Sequence, residues 1–167
     1  APGESEEKYR HLTILARNET GYRNLLKLVT DAHLEGFYHR PRVDKELLAE
    51  HGEGLIGLSG CLASEVSQLL LGGQHAKADE AASTYADIFG AGNFFIELQD
   101  HGLSEQREIL PKLVELAGRT GLPTVATNNA HYAAPGRRRL ATALAAVRAR
   151  KSLDEMDGWL PAAATAH

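Results

Sequence analysis

A single cysteine, Cys61, in 167 residues leaves nothing for an intrachain disulfide to join. With eight histidines beside it, it fits a reducing, cytoplasmic setting. Long apolar runs are missing as well. None approaches the ~20 residues that cross a bilayer, so no membrane partner is expected, and the polar lead-in Ala1 to Arg10 is not a secretory signal. An excess of positive charge is also absent: a net charge of -4 and a pI near 6.1 count against a free-standing nucleic-acid binder, though not against a local basic face. No G-x-S-x-G elbow surrounds Ser59 or Ser64, which discounts a serine hydrolase. Gly52-Glu-Gly54 and Gly90-Ala-Gly92 lack the third glycine or the lysine of a phosphate loop, and no CxxC, HExxH or HxH pattern is present. The chain opens without Met and closes on Ala-Ala-Ala-Thr-Ala-His167, which reads as a piece of a longer protein.

What is there is a chain with 43% hydrophobic residues, enough for one globular domain with a core. His11 to Ala16 predicts a strand, and Asn18 or Thr20 caps a helix with Tyr22, Leu25, Leu26, Val29 and Ala32 inward. Gly36 ends it. The loop Phe37-Tyr-His-Arg-Pro-Arg42 is aromatic and basic, and Asp44 caps a short helix through Leu47 and Leu48. Gly54 to Ser59 predicts a second strand, Ser64 to Leu71 a short helix, and Lys77 to Phe89 a longer one burying Ala78, Ala81, Ala82, Tyr85, Ile88 and Phe89. Phe94 to Leu98 is the third strand. A helix from Ser104 turns Ile109, Leu110, Leu113, Val114 and Ala117 inward despite Pro111, and Pro123 to Thr127 is the fourth strand. A last helix over about Arg137 to Arg150 would bury Leu140, Ala143, Leu144 and Val147, Ser152-Leu-Asp-Glu155 is a capping box, and Trp159 and Pro161 close the chain. Alternating strands and helices predict an α/β fold with parallel strands, too few to close a barrel alone.

Parallel strands gather their carboxyl ends on one face, which brings Cys61, His101 and the Asn129/His131 pair together. Thiolate and imidazole suit zinc-like cations, and a carboxylate or amide oxygen can complete such a set. Without a local spacing motif, buried or hydrogen-bonded side chains explain the same residues: Cys61 as a small hydrophobe, His101 with Asp100 as an exposed loop pair. Arg137, Arg138, Arg139, Arg148, Arg150 and Lys151 lie on a segment, Pro135 to Ser152, that contains no acid. That predicts either a solvated helix face or a contact with a phosphate backbone or acidic partner.

Several motifs taken in order resemble one family. His11-Leu-Thr-Ile-Leu-Ala, Thr20-Gly-Tyr-Arg-Asn-Leu, Glu35-Gly-Phe-Tyr-His-Arg-Pro-Arg-Val-Asp, Glu53-Gly-Leu-Ile-Gly-Leu-Ser-Gly-Cys61, Phe94-Phe-Ile-Glu-Leu-Gln-Asp-His-Gly and Val125-Ala-Thr-Asn-Asn-Ala-His-Tyr132 are similar to the polymerase-and-histidinol-phosphatase (PHP) domain of bacterial C-family DNA polymerases, the polymerase III alpha subunits. The segment from Leu140 to Glu155, with Trp159-Leu-Pro, looks closest to the error-prone branch.

The resemblance implies part of a distorted seven-stranded β/α barrel with about four β/α units, a partial PHP domain over residues 11–151, and a connector toward the polymerase core over 152–167. It implies His11, Cys61, Asn129 and His131 as ligands of a divalent metal, zinc or manganese. Magnesium would serve the parent polymerase, outside this piece, and DNA and other replisome or translesion subunits would be its partners. His11 fits the parallel-strand expectation poorly, because it begins its strand. Asn129 departs from the family's aspartate, replacing a full charge by a neutral carbonyl. The expectation is a degenerate site in a fragment of a DNA-directed DNA polymerase, without catalytic residues of its own here. A stand-alone PHP phosphoesterase or 3′-5′ exonuclease using metal-activated water is the alternative.

Overall fold

The computed structural model describes residues 9–38, 40–156 and 165–166. Most of the lead-in, His39, Trp159, Pro161 and most of the proposed connector lie outside the described residues. The main sheet has four strands in the order β1 (Thr13–Ala16), β2 (Leu55–Leu58), β3 (Phe94–Leu98), β4 (Thr124–Ala126). β2, β3 and β4 are parallel, as expected, with Gly57 opposite Phe94 and Ile96 opposite Thr124. β1 corrects the expectation, because it runs antiparallel to β2, pairing Thr13 with Leu58 and Ala16 with Leu55. A second correction follows β4: β5 (Ala130–Tyr132) pairs with β6 (Thr165–Ala166) in a separate two-stranded sheet.

Helix starts follow local chemistry. Asn18 caps α1 (Glu19–Leu34), accepting from Gly21 N–H, and Asp44 caps α2 (Lys45–Glu50) through Leu47 N–H. Ser64 caps α3 (Glu65–Leu71) through Ser67 N–H. In each case a short side-chain oxygen meets an amide that the helix leaves without a partner. α4 (His75–Phe89) and α5 (Ser104–Thr120) follow, α5 running on through Pro111. α6 (Arg138–Ala149) ends in left-handed Arg150, and the backbone N–H and hydroxyl of Ser152 both donate to Glu155, each at 2.8 Å.

The core lies between the sheet and α3, α4 and α5, where Leu55, Val66, Leu70, Phe94, Ile96 and Leu116 are all but fully buried. Phe94 stacks on Tyr85 and Phe89 of α4. Strand alternation then turns Phe95 and Glu97 to the opposite face. On α1 the buried residues are Gly21, Leu28 and Ala32, while the expected Tyr22, Leu26 and Val29 are about half exposed. Gly21 sets that rotation: a Cβ there would stand 1.8 Å from the Gly54 carbonyl oxygen. Val114 is likewise exposed on α5. The expected inward face of α6 is also corrected, since Leu140, Leu144 and Val147 are exposed and Ala146 is the buried residue. The reason is that α6 packs chiefly against β5 and the turn before the helix.

Candidate functional site

The antiparallel run of β1 removes the difficulty with His11. Because β1 starts where β2 ends, His11 lies beside the carboxyl ends of the parallel strands, bridging Ser64 and donating its backbone N–H to the Ala63 carbonyl at 3.3 Å. Its Nδ1 stands 3.5 Å from the Cys61 Sγ. Tyr9 stacks on the His11 ring with centroids 5.9 Å apart, and the Arg40 guanidinium lies over Tyr9 at 5.1 Å. The turn carrying Cys61 is shaped by Gly60, whose φ of +89° is unfavourable for any residue with a side chain and whose Cβ position would meet the His11 carbonyl oxygen at 2.8 Å.

Asn129 and His131 are placed differently. The Asn129 N–H donates to His101 Nε2 at 3.2 Å, and His131 turns its Nδ1 back to the Asn129 carbonyl at 2.8 Å. His101 is not an exposed loop residue: it is half-buried, with its N–H donating to the buried Gln106 side chain at 2.8 Å and its Nδ1 at 3.0 Å from the Gln106 amide nitrogen. Asp100 instead accepts from Gly102 N–H, closing its own turn. The structure thus joins His11 to Cys61 and ties Asn129 to His101.

A zinc-like ion takes about four donors. The His11–Cys61 pair supplies two, and among the described residues no group of three or more His, Cys, Asp and Glu side chains is placed to hold a metal ion. As arranged, the donors among the described residues do not complete a metal site.

Sequence reasoning passed over Glu97. It lies within β3 and is only 5% exposed, yet it sits between the carboxyl ends of three strands. Its Oε2 accepts from Gly60 N–H at 3.1 Å, and its Oε1 accepts from Gln99 Nε2 at 2.9 Å and from the Thr127 hydroxyl. Its own N–H donates to Ser59 Oγ at 2.9 Å. Gly60, Cys61, Glu97, Gln99 and Gln106 line a shallow cleft. An acid on an otherwise apolar strand was the one available signal.

The six cations of the acid-free segment, Arg137, Arg138, Arg139, Arg148, Arg150 and Lys151, are all exposed. None of them takes part in an ion pair among the described residues. Arg138 and Arg139 occupy the first turn of α6, the positive end of the helix dipole, where a cation is disfavoured. That leaves a region that attracts anions. Among the described residues no helix is long and apolar enough to cross a membrane.

Comparison with known proteins adds a family and relatives. Residues 3–101 match the family described as PHP domain. A protein of Treponema pallidum named DNA polymerase III subunit alpha is 56% identical over 126 residues, which is 75% of this chain and 11% of that protein. Proteins of the same name from Thermus aquaticus, 44% identical over 90% of the chain and 12% of the relative, and from Deinococcus radiodurans, 47% identical over 77% and 10%, are also similar. The chain therefore spans about a tenth of the length of these relatives.

Proposed function

The chain belongs to the PHP domain family, and on that premise we propose that it is the PHP region of a bacterial C-family DNA polymerase, replicative or error-prone, whose metal chemistry has weakened while its shape persists. The similarity to polymerase III alpha subunits supports the parent. The parallel strands β2 to β4 with helices between them support a place in the distorted seven-stranded barrel. Replisome or translesion subunits and DNA are then the partners of the whole protein, working in the cytoplasm.

What supports the weakened site is the residue at position 129, beside a His11–Cys61 pair that, among the described residues, belongs to no group of three or more His, Cys, Asp and Glu placed to hold a metal ion. Asn129, where the family has aspartate, contributes no charge that would draw His131 and a cation toward that pair. His11, Cys61, Asn129 and His131 would therefore hold zinc or manganese weakly, and no catalytic role falls to any of them. The exposed cations from Arg137 to Lys151 serve contact with DNA or an acidic partner subunit, the second function of a domain kept for its surface.

Metal analysis of the intact protein and its Asn129→Asp variant tests the reading. The expected result is substoichiometric zinc or manganese, more of it retained by the variant, and no metal-dependent 3′-5′ nuclease activity in the unmutated protein. A full metal complement with such activity in the unmutated protein would overturn it in favour of a working phosphoesterase.

A further inference from the structure

We propose that Glu97 is a positioning residue: its buried carboxylate fastens the turn bearing Cys61 to the chain leading into Asn129, and so sets the two halves of the candidate site relative to each other. The inference rests on the preceding section only for what the site is for.

The two carboxylate oxygens divide the work. Oε2 takes the Gly60 N–H, the amide next to Cys61, at 3.1 Å. Oε1 takes the Thr127 hydroxyl and the Gln99 amide, the latter at 2.9 Å. Gln99 in turn donates to Thr127 Oγ1 at 3.2 Å, closing a ring around the end of β4. The backbone repeats the link, since Ser59 Oγ accepts from Glu97 N–H at 2.9 Å and Thr127 N–H donates to the Leu98 carbonyl at 3.1 Å.

What sets this apart from ordinary strand pairing is its cost. A carboxylate 5% exposed with only neutral donors around it, and no ion pair of its own among the described residues, gives up hydration that a leucine would never need. For cohesion alone an apolar side chain would do better on a strand beside Phe94 and Ile96. A group that accepts at both oxygens can instead hold two separate segments at once, each through a hydrogen bond strengthened by charge. Gly60 takes its positive φ without steric cost, and the hydrogen bond from its N–H to Glu97 ties that turn to β3.

The test reads Cys61, the lone thiol of the chain, by its rate of alkylation with iodoacetamide. It is done in the presence of EDTA, so that the outcome does not depend on whether any metal binds. In Glu97→Ala, Cys61 is expected to react roughly tenfold faster, the factor that one charge-assisted hydrogen bond commands. Glu97→Gln, which still accepts from Gly60 and can donate to Thr127, should stay within about twofold of the unmutated protein. Leu70→Ala, a core truncation expected to lower the melting temperature by a similar amount, serves as the control for mere destabilisation and should leave the rate within about twofold as well. Should Glu97→Ala fail to fold, Glu97→Asp, one methylene too short to reach both segments, is read the same way. An unchanged rate in a folded Glu97→Ala or Glu97→Asp protein overturns the proposal, as does an acceleration that Leu70→Ala reproduces. Loss of the metal reading would leave this result standing.

Discussion

Replacing Gly60 by alanine probes the fold and the site together. The residue holds φ at +89°, and an added Cβ would lie 2.8 Å from the His11 carbonyl oxygen and 3.1 Å from the Ser64 Cβ. Forcing a side chain into left-handed backbone costs roughly 1–2 kcal/mol, and overpacking a filled position costs about 1–3 kcal/mol more. A small domain has only ~5–15 kcal/mol in all, so the loss should be plain in urea unfolding followed by circular dichroism, as a lower midpoint with the same slope. Gly73→Ala supplies the comparison. That glycine has φ +70° but nothing within 4 Å of its Cβ position, so it should show the backbone cost alone. Equal losses at the two positions would refute the claim that close approach to His11 and Ser64 shapes the Cys61 turn.

Other expectations follow from the same geometry. Burial would raise the Glu65 carboxyl, but hydrogen bonds from Lys45 and Tyr85, with the Lys45 charge, outweigh it and hold the group below its ordinary value. That stability is present above the usual carboxylate range and is lost as the pH falls through the lowered value; Glu65→Gln should flatten the acid side of the stability profile, which urea midpoints between neutral and acid pH would record. Tyr85→Phe removes a 2.7 Å hydrogen bond to Glu65 and should cost about 1–2 kcal/mol in the same assay. Leu70→Ala, in a site with no solvent exposure, should cost ~2–5 kcal/mol. Charge reversal at Arg137, Arg138 and Arg139 should weaken binding of the intact protein to DNA and flatten its salt dependence, measured by fluorescence anisotropy; unchanged binding would leave that face a solvated one.

Much of the architecture was legible because it is written in local chemistry. Asn18, Asp44 and Ser64 announce their helices through side chains that cap them, and Phe94–Leu98 could be read to the residue. The rotation of α1 was not legible. Counting apolar residues favours Tyr22, Leu26 and Val29, whereas the helix is pressed to the sheet at Gly21, a residue that adds nothing to such a count. Strand direction was hidden for a related reason: alternation and burial look the same along a strand whichever way it runs, so the antiparallel pairing of β1 emerges only from the tertiary structure. The exposed leucines of α6 show the same limit, since an amphipathic stripe predicts a face without naming what lies against it.

That reversal of β1 is also what reorganises the candidate site. With β1 parallel, His11 would stand at the far edge of the sheet from Cys61, and an imidazole and a thiol at opposite ends could share nothing. Run antiparallel, β1 delivers His11 to the strand ends where Cys61, Glu97 and Thr127 already meet. The half around His11 and Cys61 is thus set by hydrogen-bonded backbone and a buried carboxylate, while Asn129 is engaged by His101. Asn129 and His131 then differ from the first pair in what holds them, a ring nitrogen and a short local turn. Restoring a carboxylate at Asn129 would add charge without undoing those contacts. Asn129→Asp should therefore strengthen metal retention only in part, and Asn129→Asp combined with His101→Ala should exceed it, a difference that metal analysis of the two proteins side by side would show.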